Sequence, residues 1–299
     1  MISQERINQY IADGHLAVKI VADSISESGK RITTFQLKYP RFIHAEAKTH
    51  RVMSNHTAIE FDLGVMEDKD LSKSAGSSRA VPVLRMIEQV RTNPAMPIHW
   101  GKNQSGMQAK EELSGIALDM AEDAWKNAAI EASIIADKMM NLGAHKQIVN
   151  RILEPFQHMH TVLTATEFDN FFELRIHEDA QPEIYALALT MKQAMDNSEP
   201  RVLKVGEWHL PYVKETNMNS TLACKISAAR CCRVSYLKHD GSNPSIDEDL
   251  ALFERLVGSE PLHASPLEHQ ATPENEYEPV PHSNLKDWAQ YRKIYEASL

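Results

Sequence analysis

Residues 150–184, NRILEPFQHMHTVLTATEFDNFFELRIHEDAQPEI, put arginines where an ordinary core would put leucines. Thr166 with Asp169 three residues on reads as a capping box, which predicts a helix start there. That helix carries Phe168, Phe171, Phe172 and Arg175 on overlapping faces. Arg175 follows Phe171 by four residues and Phe172 by three, so its guanidinium leaves a largely apolar stripe. Such a charge needs a partner: a neighbouring carbonyl, a carboxylate such as Glu173 or Glu178, or a ligand that is anionic or becomes so. Pro182 resets the chain, and Ile184, Leu187, Met191 and Met195 give a second helix its buried face.

Upstream, residues 16–25 and 32–39 are rich in β-branched side chains around a polar link and predict a strand pair, closed by Pro40. Residues 41–51, RFIHAEAKTHR, predict a helix with Ile43, Ala47 and His50 on one side. Gly76, Ser77 and Ser78 are small enough for backbone N–H groups to converge on an oxyanion, and Arg79 adds a forked donor; a phosphate fits such a nest, and a plain serine-rich loop is the other reading. Ser77 as a nucleophile lacks a His/Asp relay at hydrolase spacing.

A short helix with Val83, Met86, Ile87 and Val90 follows, then a polar loop at 97–108. A long helix is expected over 110–142, with Ile116, Met120, Ala124, Ile134 and Met139 inward as scaffold or subunit contact, stopped by Gly143. Residues 206–219 read as linker and loop, 246–258 as an acidic-capped helix, and 284–296 as an amphipathic helix whose Trp288, Tyr291 and Ile294 pack inward.

A chain of 299 residues with 42% hydrophobic content buries a sizeable core. No apolar run reaches bilayer length and the first residues lack a signal-peptide pattern, so the expected location is cytoplasmic. Cys224, Cys231 and Cys232 form no disulfide framework or CxxC pair and read as reduced core residues. A net charge of -9 argues against binding nucleic acid polymers, so any phosphate must meet a local arginine cluster.

The run Asn170 to Arg175 with Asp179, Ala180, Gln181, Pro182, Glu183 and Ile184 resembles the signature of flavin-dependent thymidylate synthases (the ThyX family), an LR pair followed by AQ-x-E-I. KTHR at 48–51 and LSKSAGSSRA at 71–80 together resemble that family's RHR-x-x-S-x-N-x-x-S-x-R motif, split by residues 52–70. CRVSY at 232–236 and SPLEH at 265–269 resemble two further elements that usually precede the HR motif, so the order here looks circularly permuted.

The resemblance implies a single catalytic domain over 1–299, with the HR/SSR and LR/AQ motifs in 1–200 and the RVSY and SPLEH motifs in 201–299. Its fold is α/β (α+β), a mixed sheet flanked by long helices. The implied activity is reductive methylation of dUMP to dTMP, with FAD as cofactor, NADPH and methylenetetrahydrofolate as co-substrates, and a homotetramer as the assembly. Arg175 is implied as catalytic, favouring the ionised uracil ring. Glu46, Ser77, Ser78, Arg79 and Arg151 are implied around dUMP; Arg151 can instead pair with Glu154. Thr49, His50, Arg51, Asn170, Ser235 and His269 are implied around FAD, His269 also as a histidine suited to switching charge near neutral pH. Thr49, Ser74, Thr164 and Thr166 depart from the family's residues, and Glu46 stands where a glutamine is common. These departures leave room for another pyrimidine nucleotide, or for a non-catalytic nucleotide-binding homologue.

Overall fold

Ala17–Ser26 (β1) and Arg31–Pro40 (β2) form an antiparallel hairpin with Ile20 opposite Phe35 and Ala17 opposite Lys38. Its turn works because Gly29 takes a φ of 82°, a region a side chain would strain. The structure is a computed structural model and describes residues 2–44, 71–75, 81–106, 108–214, 218–233, 244–259, 264–275 and 284–299. Leu71–Ala75 (β3), His158–Ala165 (β4) and Arg201–Leu203 (β5) extend the hairpin into a mixed sheet of order β3-β4-β2-β1-β5. Every pairing is antiparallel except β1 with β5. A small second sheet pairs Ala271–Pro273 (β6) with Trp288–Gln290 (β7).

The α-helices that lie wholly within the described residues are Gln4–Ala12 (α1), Val83–Thr92 (α2), Ile116–Asn141 (α3), Lys146–Ile152 (α4), Asp169–Arg175 (α5), Pro182–Asp196 (α6), Ser220–Cys232 (α7), Ile246–Val257 (α8) and Tyr291–Glu296 (α9). Alternation along β2 and β4 gives the main sheet two unlike faces. Phe35, Leu37, Tyr39, Met159 and Leu163 meet Ile7 and Tyr10 of α1 and Ile184, Leu187 and Met191 of α6. Burying each of these apolar side chains contributes roughly 1.5–3 kcal/mol. On the other face Ile32 packs with Leu203, Ala271, Leu285 and Trp288 from the C-terminal segment. Separate cores join α7 to α8 and α2 to α3 and α4.

The expected hairpin, α2, α6 and the capped α8 are all present, with Ser245 and Glu248 completing the capping box of α8. The three cysteines are buried and free, and burial pushes their thiols up. Four expectations need correction. Thr166 does not cap α5: the helix begins at Asp169 with Phe168 at its N-cap, because Phe168 must reach the Phe35 ring and Thr166 is still leaving β4. The long helix starts at Ile116 rather than at 110, because 111–113 pair with Trp100 and Lys102. Its first turns overhang the core, leaving Ile116 76% and Met120 68% exposed, while Ala129, Ala132 and Ala136 make the buried stripe. Trp288 lies on β7, and only 291–296 is helical, although Trp288 and Tyr291 are buried as expected. The helix expected over 41–51 is described only at its start, as a 3-10 turn, Arg41–Ile43, followed by His44 in helical conformation, and residues 45–51 lie outside the described residues.

Candidate functional site

Two guanidinium groups meet at the end of β2. Arg41 Nη2 and Arg151 Nη1 donate to the same oxygen of Glu154, at 2.7 and 2.8 Å. One carboxylate between two arginines leaves a net positive charge, and the Arg151 side chain is 55% exposed. An anion is welcome there. Asn150, the neighbour of Arg151 on α4, donates its side-chain amide to Val81 O at 3.0 Å. Val81 follows Arg79 by two residues, so the exit of the serine-arginine segment is fastened to the helix carrying Arg151. Arg41 in turn enters the segment that leads to His50 and Arg51.

Arg175 is the last residue of α5 and is half-buried. A cation in the last turn of a helix faces the negative end of the helix dipole, which favours its charge. Asn170 lies in the first turn of the same helix and is exposed. Downstream, the AQPEI run does structural work. Ala180 and Ile184 enter the main core, and Pro182 sits in the first turn of α6. The Glu183 carboxylate is buried and accepts from Ile98 N at 2.9 Å, anchoring the 97–108 loop. Burial raises its pKa, and the Ile98 N–H pulls the other way.

His269 is fully buried, its Nδ1 2.9 Å from Thr164 Oγ1. Burial lowers its pKa to about 3, so it stays neutral near pH 7. This differs from the expectation of a charge switch near neutrality, because burial disfavours the charged ring. His209 was not expected as a functional residue. It bridges Thr34 Oγ1 at 2.8 Å and Ser24 Oγ at 2.9 Å, and burial lowers its pKa to about 3 as well. The only signal in the sequence was a histidine between Trp208 and Leu210 in a stretch read as loop. A backbone bridge between His209 and Ala271 carries the two histidines onto one sheet face.

A cleft of about 740 Å³ between α5, α6 and the start of β2 has Phe168, Phe172, Ile176 and Leu189 in its wall. Neither Arg151 nor Arg175 lines it. Its cations are committed, Arg31 to Asp23 and Lys192 to Asp196, and Glu167, Asp169 and Glu173 make its rim acidic, so it suits no phosphate. Thr166 also lines it, with a buried Oγ1 that has no hydrogen-bond partner. Glu46, Thr49, His50, Arg51, Ser77, Ser78, Arg79 and Ser235 lie outside the described residues. Among the described residues, no helix is long and apolar enough to cross a membrane.

The sequence model of the thymidylate synthase complementing protein family matches residues 30–201. Residues 202–299, with His209 and His269, lie beyond the match. Similar solved structures include the UMP/dUMP methylase PolB from Streptomyces cacaoi bound with 5-Br UMP. It has a TM-score of 0.43 and 14% identity over 60% of this chain and 88% of that one. The same methylase bound with 5-Br dUMP gives a TM-score of 0.40 and 13% identity over 60% and 87%. No curated protein sequence matches. With the family match spanning more than half of its length, the chain belongs to the thymidylate synthase complementing protein family.

Proposed function

We propose that this protein is a flavin-dependent thymidylate synthase that converts dUMP to dTMP with methylenetetrahydrofolate and NADPH. Family membership supports the reaction class. The observation that carries the reading is the corner where Arg41 and Arg151 share Glu154 and Asn150 holds Val81, two residues past Arg79. Ser77, Ser78, Arg79 and Arg151 are the residues assigned to the phosphate, and Glu46 is assigned to the nucleotide. Arg175 stabilises negative charge on the uracil ring. Clamping the phosphate orients a distant ring carbon, a contribution that in favourable cases reaches several orders of magnitude in rate.

FAD, when bound, supplies the hydride. Thr49, His50, Arg51, Asn170, Ser235 and His269 are the residues assigned to hold it. The orphaned Thr166 Oγ1, at a position where the family often contacts flavin, is a polar group with hydrogen-bonding capacity left for such a ligand. We read the motif order as a circular permutation within one catalytic domain over 1–299. The Thr164–His269 hydrogen bond supports this by joining the SPLEH element to the strand that leads into the LR helix. The assembly is a homotetramer, to be checked by sedimentation of the purified protein, and the location is cytoplasmic.

The test is dTMP formation, with release of label from C5 of dUMP, in wild type and Arg175→Ala. Wild type turns over, and the variant loses about 10²-fold or more, the scale for removing one donor from a developing anion. Wild-type protein that shows no flavin absorbance and cannot be reconstituted with FAD would sink the proposal. The departures at Thr49, Ser74, Thr164 and Thr166 make dCMP the second substrate to assay. Turnover of dCMP alone moves the activity to another pyrimidine nucleotide; turnover of neither leaves a nucleotide-binding homologue.

A further inference from the structure

Five side chains on the C-terminal side of the sheet form one unbroken line. Ser24 Oγ lies 2.9 Å from His209 Nδ1, and His209 Nε2 lies 2.8 Å from Thr34 Oγ1. Thr34 Oγ1 is 2.7 Å from Thr164 Oγ1, which is 2.9 Å from His269 Nδ1. They come from β1, β2, β4 and two C-terminal loops, and all are buried. Thr34 and Thr164 are directly opposed in the β2–β4 register, which is why their hydroxyls meet.

We infer that this line fixes the proton of His269 on Nε2, with Ser24, His209, Thr34 and Thr164 as positioning residues. Each hydroxyl has one proton to give, and a neutral imidazole has one N–H and one lone pair. Such a chain runs in only two directions. Among the described residues, the side chain of Ser24, 3% exposed, has His209 Nδ1 as its hydrogen-bond partner and no other. Its proton must go there, because a buried O–H without an acceptor is costly. His209 then carries its own proton on Nε2 and donates to Thr34, Thr34 donates to Thr164, and Thr164 donates to His269 Nδ1. The reverse direction would put protons on both Nδ1 atoms and strand the Ser24 hydrogen. The depressed pKa values of both histidines agree with neutral rings.

The chemical use of this order rests on the thymidylate synthase reading. An Nε2–H on His269 calls for an acceptor opposite it, a carbonyl oxygen or a bare ring nitrogen and not another N–H. The tautomer itself is read without turnover, by long-range proton–nitrogen NMR of the full chain labelled at its histidine nitrogens. His209→Gln and His269→Gln assign the signals. The expected spectrum has protonated Nε2 and bare Nδ1 on both rings at neutral pH. A protonated Nδ1 on either ring overturns the inference. Thr164→Val is expected to move the His269 Nδ1 signal toward that of a nitrogen accepting no hydrogen bond, and Thr164→Ser to restore it. An unmoved signal in a folded Thr164→Val overturns the inference too, and if that variant fails to fold the wild-type spectrum decides alone. The predicted spectrum in a protein that makes no dTMP leaves the inference standing and removes only the enzyme reading.

Discussion

The two faces of one strand pair are sealed by opposite means. Phe35 faces Leu163 across β2 and β4, and both join a continuous apolar core beneath α1 and α6. One residue earlier, Thr34 faces Thr164, and there, beside the apolar cluster around Ile32, strand hydroxyls are met by two imidazoles from the C-terminal segment. An apolar face tolerates any neighbour of the right volume. A polar face demands a partner for every buried proton, so it specifies which segment may dock and in what order its hydrogen bonds run. The C-terminal residues are thus held to the sheet by direction as well as by area.

Adjacent substitutions on β2 break the comparison most strongly. Phe35→Ala removes a fully buried ring and should cost about 3–5 kcal/mol in urea unfolding. Thr34→Val keeps the shape, strands the His209 Nε2 proton and should cost about 1–3 kcal/mol. Per folded molecule, dTMP formation should survive the first and fall in the second. Equal loss of activity in both would mean that the polar face has no role beyond packing.

Acid titration comes next. His209 and His269 each have a folded pKa of about 3, against an ordinary value of 6.5. The unfolded chain therefore takes up protons first as pH falls, and the stability contribution present above pH 6.5 is lost progressively from there toward pH 3. Glu183 on the apolar side works the other way, its carboxyl being raised by burial. The histidine share is accordingly read as a difference in slope: urea midpoints between pH 6.5 and 4 should fall less steeply in His209→Gln than in wild type. Parallel slopes would place the titrating charge elsewhere.

The apolar face was legible in the sequence and the polar one was not. The β-branched runs over 16–25 and 32–39 announced the hairpin, and the spacing of Ile184, Leu187 and Met191 announced α6, because apolar spacing reports burial directly. Thr34 counted there merely as a strand former, and Thr164 only as a departure from the family's residues. Their partners lie 175 and 105 residues away along the chain, and no local pattern records a contact at that range. The same limit explains Ile116 and Met120, whose spacing named a helical face without saying that nothing in the described chain covers it. At Thr166 a local signal, a capping box, lost to a tertiary demand, the seating of Phe168 against Phe35.

The smallest effect on stability is expected where both faces run out, at the end of β2. Arg151 is exposed and pairs with Glu154 three residues on, a geometry worth about 0–1 kcal/mol. Arg41 remains on the same Glu154 oxygen after Arg151→Ala, so the carboxylate keeps a partner and the fold should be nearly indifferent. Binding should not be. If this corner holds the nucleotide phosphate, deleting one charge-assisted donor, worth about 1.5–3 kcal/mol, should raise KM for dUMP by at least about tenfold with kcat less affected. The contrast with Arg175→Ala, expected to act mainly on kcat, makes the pair diagnostic: one arginine holds the substrate while the other answers the charge that develops on it. An Arg151→Ala enzyme with unchanged KM would return Arg151 to a plain surface ion pair and leave the phosphate to the segment around Arg79.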